Sequence, residues 1–174
     1  MNRLIHTLAL IALLLVAPLA RAELKVLACE PEWGALVKEL AGDKVSVYVA
    51  TTALQDPHRI EARPSLVAAA RNAGLVVCTG AELEVGWLPL LIRQSGNSAI
   101  QPGKPGHFEA AAYVRMLDVP QRLDRADGDV HAAGNPHIQT DPRNIALVAE
   151  PLALRLAELD PANAATYQAR SADF

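Results

Sequence analysis

Two histidines, His58 and His137, each directly follow a proline, in the sequences LQDPHRIEARPS and GNPHIQTDPRN. Proline fixes its own φ and keeps the preceding residue extended, so each histidine is carried by a stiffened loop. A predicted helix start follows each loop, at Pro64 and at Pro142. Neutral imidazole is a good ligand for zinc and an acceptable one for other divalent metals. The matched pair therefore suggests a preformed metal site.

His131 and His107 are the other histidines after residue 22. A metal site needs three or four ligands, so His58 and His137 alone are too few. His131 has three interpretations: an additional ligand, a residue that orients a ligand, or a solvated loop residue, which we favour. His107, in the sequence GHF, is predicted to be a surface loop residue. For His58 and His137 the competing interpretation is a loop histidine that only donates a hydrogen bond.

The carboxylates nearest to these loops in the sequence are Glu30, Asp56, Glu61 and Asp141. Asp141 precedes Pro142 and is predicted to cap the helix that begins there. Glu61 could orient an imidazole, although a solvated role is favoured. The chain has no HExxH pairing, GxSxG elbow or phosphate-binding glycine loop, so the sequence names no base or nucleophile for an enzyme.

Two cysteines, Cys29 and Cys78, each stand at the C-terminal end of an apolar run. In an exported protein, a disulfide between adjacent strand ends and a pair of free buried thiols are equally good predictions. Neither cysteine has the spacing of a zinc motif, so a metal role is the weakest interpretation.

Strands and helices alternate along the part of the chain that must position these residues. Helical patterns begin at Pro31, Pro64 and Pro142. Three apolar runs predict strands, namely LKVLA, KVSVYVA and LVVC, and SAIQP is a possible fourth strand. This order predicts an α/β fold with a parallel sheet flanked by helices. In such folds the loops at the strand ends converge on a ligand.

The first 22 residues are predicted to be a signal peptide that directs the protein to the periplasm. Arg3 gives a positive start, an apolar run follows, and Ala20-Arg21-Ala22 is a cleavage site. The run is too short to span a membrane. The whole chain has 16 basic and 19 acidic residues, and cleavage removes two of the basic ones and no acids. This acidic balance argues against nucleic acid as a partner.

The blocks around His58 and His137, taken in this order and each leading into a helix, resemble the periplasmic metal-binding proteins of zinc and manganese ABC importers. The resemblance covers about residue 25 to the end. It implies two α/β lobes joined by a long helix, with the metal held between them. On that basis residues 23–159 are the N-terminal metal-binding lobe, and residues 160–174 begin the linking helix. The sequence stops at Phe174 without a helix-capping signal, so we expect that the second lobe is missing.

The resemblance also implies roles for individual residues. His58 matches the first metal-binding histidine of the family and His137 the second, whereas a third histidine and an acidic ligand would come from the second lobe. The cargo would be Zn²⁺, or alternatively Mn²⁺, and the partner a membrane permease of an ABC transporter. Because two ligands are absent, this chain alone is expected to bind Zn²⁺ weakly.

Two other classes of function compete with transport. A zinc hydrolase could use His58, His131 and His137 as ligands and keep one coordination position open for water, although it would also need a general base. An adhesin built on the same fold is the third possibility.

Overall fold

A four-stranded parallel sheet forms the centre of the computed structural model, which describes residues 22–124, 126 and 130–174. The strand order is β2-β1-β3-β4, and each neighbouring pair runs parallel. The strands are β1 Leu24–Ala28, β2 Val45–Val49, β3 Leu75–Cys78 and β4 His107–Glu109. The predicted parallel α/β fold is therefore confirmed, and the signal peptide lies almost entirely outside the described residues.

Helices connect and cover the strands. They are α1 Pro31–Ala41, α2 Pro64–Asn72, α3 Leu88–Ser95, α4 Pro142–Leu159 and α5 Ala164–Asp173. Four of these five helices carry a proline in the first turn, where its fixed φ is helical and its missing N–H costs no hydrogen bond. Asp141 caps α4 as predicted, because its carboxylate accepts a hydrogen bond from the Arg143 N–H at 2.9 Å. No helix within the described ranges is long and apolar enough to cross a membrane.

Helices pack on both faces of the sheet, and successive side chains of a strand point to opposite sides, although alternate residues of the edge strand β2 are exposed. Val26 and Val77 pack with α1, α4 and α5, whereas Leu27 and Val76 pack with α2 and α3. Strands covered on both faces read as continuous apolar runs, and this explains why β1 and β3 were recognisable in the sequence.

Two predictions about the middle of the chain were wrong. SAIQP does not form a strand: Ser98–Ile100 is a single 3-10 turn, and the fourth strand is His107–Glu109. His107 is consequently not a surface loop residue, because its side chain is only 7% exposed and its Nδ1 lies 3.0 Å from the Ile100 carbonyl oxygen. A three-residue strand is too short to show an alternating pattern, so pairing with β3 and not local sequence defines it.

Candidate metal site

Matching turns present His58 and His137. The His58 N–H donates to Asp56 Oδ1 at 3.0 Å, and the His137 N–H donates to Asn135 Oδ1 at 3.1 Å. In both cases the side-chain oxygen of the residue before the proline accepts a hydrogen bond from the backbone two residues later, which is the geometry of an Asx turn. The proline and the Asx turn together fix the backbone from which each imidazole projects.

The His58 ring is oriented by the same carboxylate. Its Nδ1 lies 2.8 Å from Asp56 Oδ1, and because a carboxylate can only accept, Nδ1 carries the proton. The Nε2 atom of His58 is therefore the one with a lone pair. It lies 3.2 Å from Nε2 of His131. A carboxylate behind an imidazole in this way is a common support for a metal ligand.

The structure brings three imidazoles together. The His58 ring centroid lies 5.2 Å from that of His131 and 5.3 Å from that of His137. His58 and His131 are partly buried, whereas His137 is exposed. The favoured interpretation of His131 as a solvated loop residue was wrong, because its ring contacts the His58 ring across a separation of 73 positions in the sequence.

The segment after β3 fixes the His58 loop. The Trp87 indole N–H donates to the Pro57 carbonyl oxygen at 2.7 Å. Gly86 lies so close to the loop that a Cβ there would stand 2.8 Å from the His58 carbonyl oxygen. Because this contact is with backbone, a side chain at Gly86 would displace the loop.

The loop of His131 and His137 is fixed by contacts of its own. The Ala132 N–H donates to Glu82 Oε2 at 2.7 Å, and the Asn135 N–H donates to the Leu117 carbonyl oxygen at 2.8 Å. Gly134, at φ 106°, adopts a conformation that residues with a Cβ avoid, and a Cβ there would stand 2.5 Å from the Leu117 oxygen. A cavity of about 280 Å³ lies beside both rings of this loop.

Buried carboxyl groups underlie the segment that holds both loops. Glu84 accepts hydrogen bonds from the Thr79 and Gly80 N–H groups at 2.7 and 3.0 Å, and Glu30 accepts one from the Thr79 hydroxyl at 3.2 Å. Burial, and then the neighbouring Glu84 carboxylate, raise the pKa of Glu30 to about 9. Oε1 of Glu30 is buried and has no hydrogen-bond partner among the described residues, an environment that disfavours the charged carboxylate. Glu30 is thus a neutral core acid.

Cys29 and Cys78 are joined by a disulfide, which confirms one of the two predictions made for them. Their sulfur atoms lie within 4.8 Å of a Glu84 carboxylate oxygen. Because the disulfide leaves no thiolate, this group does not act as a metal site in the oxidised protein. Glu61 is exposed, and the carboxylate that orients His58 is Asp56.

Comparisons with known proteins agree with this architecture. The crystal structure of ZnuA superposes with a TM-score of 0.68 at 26% identity, over 86% of this chain and 52% of that chain. The metal ABC transporter substrate-binding lipoprotein ScbA of Streptococcus cristatus and the manganese ABC transporter substrate-binding lipoprotein scaA of Streptococcus gordonii are each 27% identical over 150 residues. Those matches cover 84% of this chain and 45% of each relative, so the chain spans about half the length of the curated relatives it matches.

A protein-family model matches residues 26–174, which is nearly all of the chain after the predicted signal peptide. Its description is ZnuA, zinc-uptake complex component A, periplasmic. Together with the parallel sheet described above, this match shows that the chain belongs to the ZnuA family.

Proposed function

We propose that the protein captures a divalent metal ion, zinc above all, in the periplasm and delivers it to the permease of an ABC transporter. His58 and His137 are the proposed ligands. Membership of the ZnuA family and the two transporter lipoproteins among its relatives support this role. The metal is cargo in this function, and no covalent chemistry is required.

The observation that carries the proposal is the meeting of His58 and His137. Their rings lie in edge contact, with centroids 5.3 Å apart, although the two residues come from loops far apart in the sequence. Each is held by an Asx turn and a proline, so little conformational freedom is lost when a metal binds. Two neighbouring imidazoles on restrained loops are a suitable starting arrangement for a metal receptor.

Zinc is proposed ahead of manganese because of the ligand type. Imidazole nitrogen suits zinc, whereas manganese favours carboxylate, carbonyl and water oxygen. Three matched relatives are named for manganese and two for iron, so family membership alone leaves the choice between the metals open. The proposal of zinc therefore depends on the histidines of this chain.

The hydrolase alternative requires a general base that faces the metal-bound water. Asp56 is the carboxylate in contact with His58, but it accepts hydrogen bonds from the His58 N–H and Nδ1 and therefore supports the imidazole. No observation favours hydrolysis or adhesion over metal capture. The zinc-loaded protein is expected to hydrolyse an ester substrate no faster than the same concentration of free Zn²⁺ does.

Competition titration against a chromogenic zinc chelator tests the proposal. His58→Ala and His137→Ala should each weaken Zn²⁺ binding by a factor on the order of ten or more, because each removes a direct ligand. His107→Gln is the matched control, since His107 lies in β4 and bonds to Ile100 and Glu109. Zinc affinity that survives both alanine substitutions together, in protein with an unchanged circular dichroism spectrum, would refute the assignment.

A further inference from the structure

We propose that His131 is a third metal ligand, so that His58, His131 and His137 form a three-imidazole zinc site within this one chain. This inference deepens the proposed function and rests on it. It also reverses one expectation from the sequence, namely that this chain binds zinc weakly. Three nitrogens leave only one position of a tetrahedral zinc ion to be filled by water or another ligand.

The distance between the two imidazole nitrogens matches the requirement of a shared metal. Two nitrogens bound to one tetrahedral zinc, each at about 2.0–2.1 Å, stand about 3.3–3.4 Å apart. His58 Nε2 and His131 Nε2 lie 3.2 Å apart, so a zinc ion beside their connecting line can be bound by both once each ring turns toward it. Among the described residues the three histidines do not already form a group with all ligand atoms within 4.8 Å of one another, so ring rotation must bring the third nitrogen into place when zinc binds.

The protonation pattern also fits a ligand pair. Asp56 keeps the proton of His58 on Nδ1, so Nε2 of His58 presents a lone pair to His131. Without metal, the 3.2 Å contact is an N–H···N hydrogen bond in which His131 Nε2 is the donor. Metal binding replaces that bond, and the proton shared between the two rings is released from Nε2 of His131. The metal-free contact thus holds the two rings near the position that zinc requires.

Strained backbone supports the loop that carries His131. Ala81 and Glu82 have φ values of 50° and 71°, and Asp118 has a φ of 52°, all in the left-handed region that residues with a Cβ rarely occupy. Glu82 accepts from the Ala132 N–H at 2.7 Å, and Asp118 accepts from the Asn135 side chain at 3.2 Å. Strain of this kind persists where the surrounding structure requires it, most often at functional sites. Here two strained residues hold the loop that places His131 and His137 beside His58.

A three-imidazole set also predicts which metals bind. Nitrogen-only coordination favours zinc, nickel and copper over manganese, whose affinity for such sites is lowest in the divalent series. The carboxylates of Asp56, Glu82 and Asp118 are engaged with protein donors at the site. They add negative charge near the proposed cation position.

X-ray absorption spectroscopy of the zinc-loaded chain tests the inference by counting imidazoles. The unaltered protein should show three imidazole ligands, and His131→Ala and His131→Gln should show two. Each substitution should also weaken zinc binding on the order of tenfold or more. His107→Gln should leave both the count and the affinity unchanged, and Mn²⁺ should compete poorly with Zn²⁺.

The two levels of the proposal fail in different ways. Two imidazoles in the unaltered protein, with zinc affinity unchanged by His131→Gln, would show that the contact between His58 and His131 is only a hydrogen bond, and metal capture by His58 and His137 would stand. Absence of zinc binding to the unaltered protein would overturn the proposed function and this inference with it. His131→Gln preserves a polar side chain, so circular dichroism and thermal melting of that variant exclude unfolding as the cause of a lost ligand.

Discussion

Replacement of the buried acid Glu30 by glutamine should change how the stability of the protein depends on pH. Glu30 is 2% exposed and lies against Glu84, and burial is the main cause that raises its pKa to about 9. Glutamine imitates the protonated carboxyl: its amide oxygen can accept from the Thr79 hydroxyl, and its amide N–H can face Glu84. The variant therefore keeps the hydrogen bonds but cannot titrate.

The magnitude follows from the difference in pKa between the two states. In the fold the pKa of Glu30 is raised from 4.5 to about 9, so the folded state holds a proton that the unfolded state has lost between those values. The stabilisation from that proton is complete below pH 4.5 and is lost as the pH rises towards 9. One proton corresponds to about 1.4 kcal/mol per pH unit, or about 4 kcal/mol between pH 5 and pH 8.

Urea denaturation at several pH values between 5 and 8 measures this effect. Glu30→Gln should be close to the unaltered protein in stability at pH 5 and more stable at pH 8. The control is Glu150→Gln, at an exposed position of α4, which should leave the pH dependence unchanged. If the free energies of unfolding of Glu30→Gln and the unaltered protein fall in parallel with pH, then Glu30 is not the protonated group and the reasoning fails.

Three further changes test the fold and the processing of the chain. Gly134→Ala should destabilise the protein by about 1–3 kcal/mol and weaken zinc binding, because the Cβ of the alanine would clash with the Leu117 carbonyl oxygen. Chemical denaturation measures the loss of stability, and chelator competition measures the loss of zinc affinity. Reduction of the Cys29–Cys78 bridge, which closes a sequence separation of 49 residues, should cost about 4 kcal/mol, and a melting temperature unchanged by reductant would contradict this. Exported protein should begin at Glu23 after cleavage behind Ala22, and mass spectrometry that detects Met1 in the periplasmic fraction would exclude that cleavage.

The elements that the sequence predicted are those with a local cause. β1 is buried over residues 26–28 and β3 over its whole length, so both contain apolar runs, and α1, α2 and α4 begin at prolines. β4 was missed because its three residues form a strand only through pairing with β3.

In the candidate site, too, the residues with a local sequence signal were predicted and the residue without one was not. The Pro-His sequences identified His58 and His137. The Asp or Asn directly before each proline, Asp56 and Asn135, was a further signal, because it predicts the Asx turn. The contact of His131 with His58 had no local signal, because it depends on hydrogen bonds such as that from Ala132 to Glu82, 50 positions away. Contacts of this kind are set by the tertiary fold and have no periodic pattern in the sequence.

One short segment, residues 80–87, touches both histidine-bearing loops. Glu82 holds the loop of His131 through Ala132, and Gly86 and Trp87 hold the loop of His58. This one structural element therefore contributes to the position of both imidazole-bearing loops, together with the contacts that Leu117 and Asp118 make to the loop of His131. A change of one residue in the length of this segment should displace the two loops relative to each other and weaken metal binding, even though the segment itself contributes no ligand.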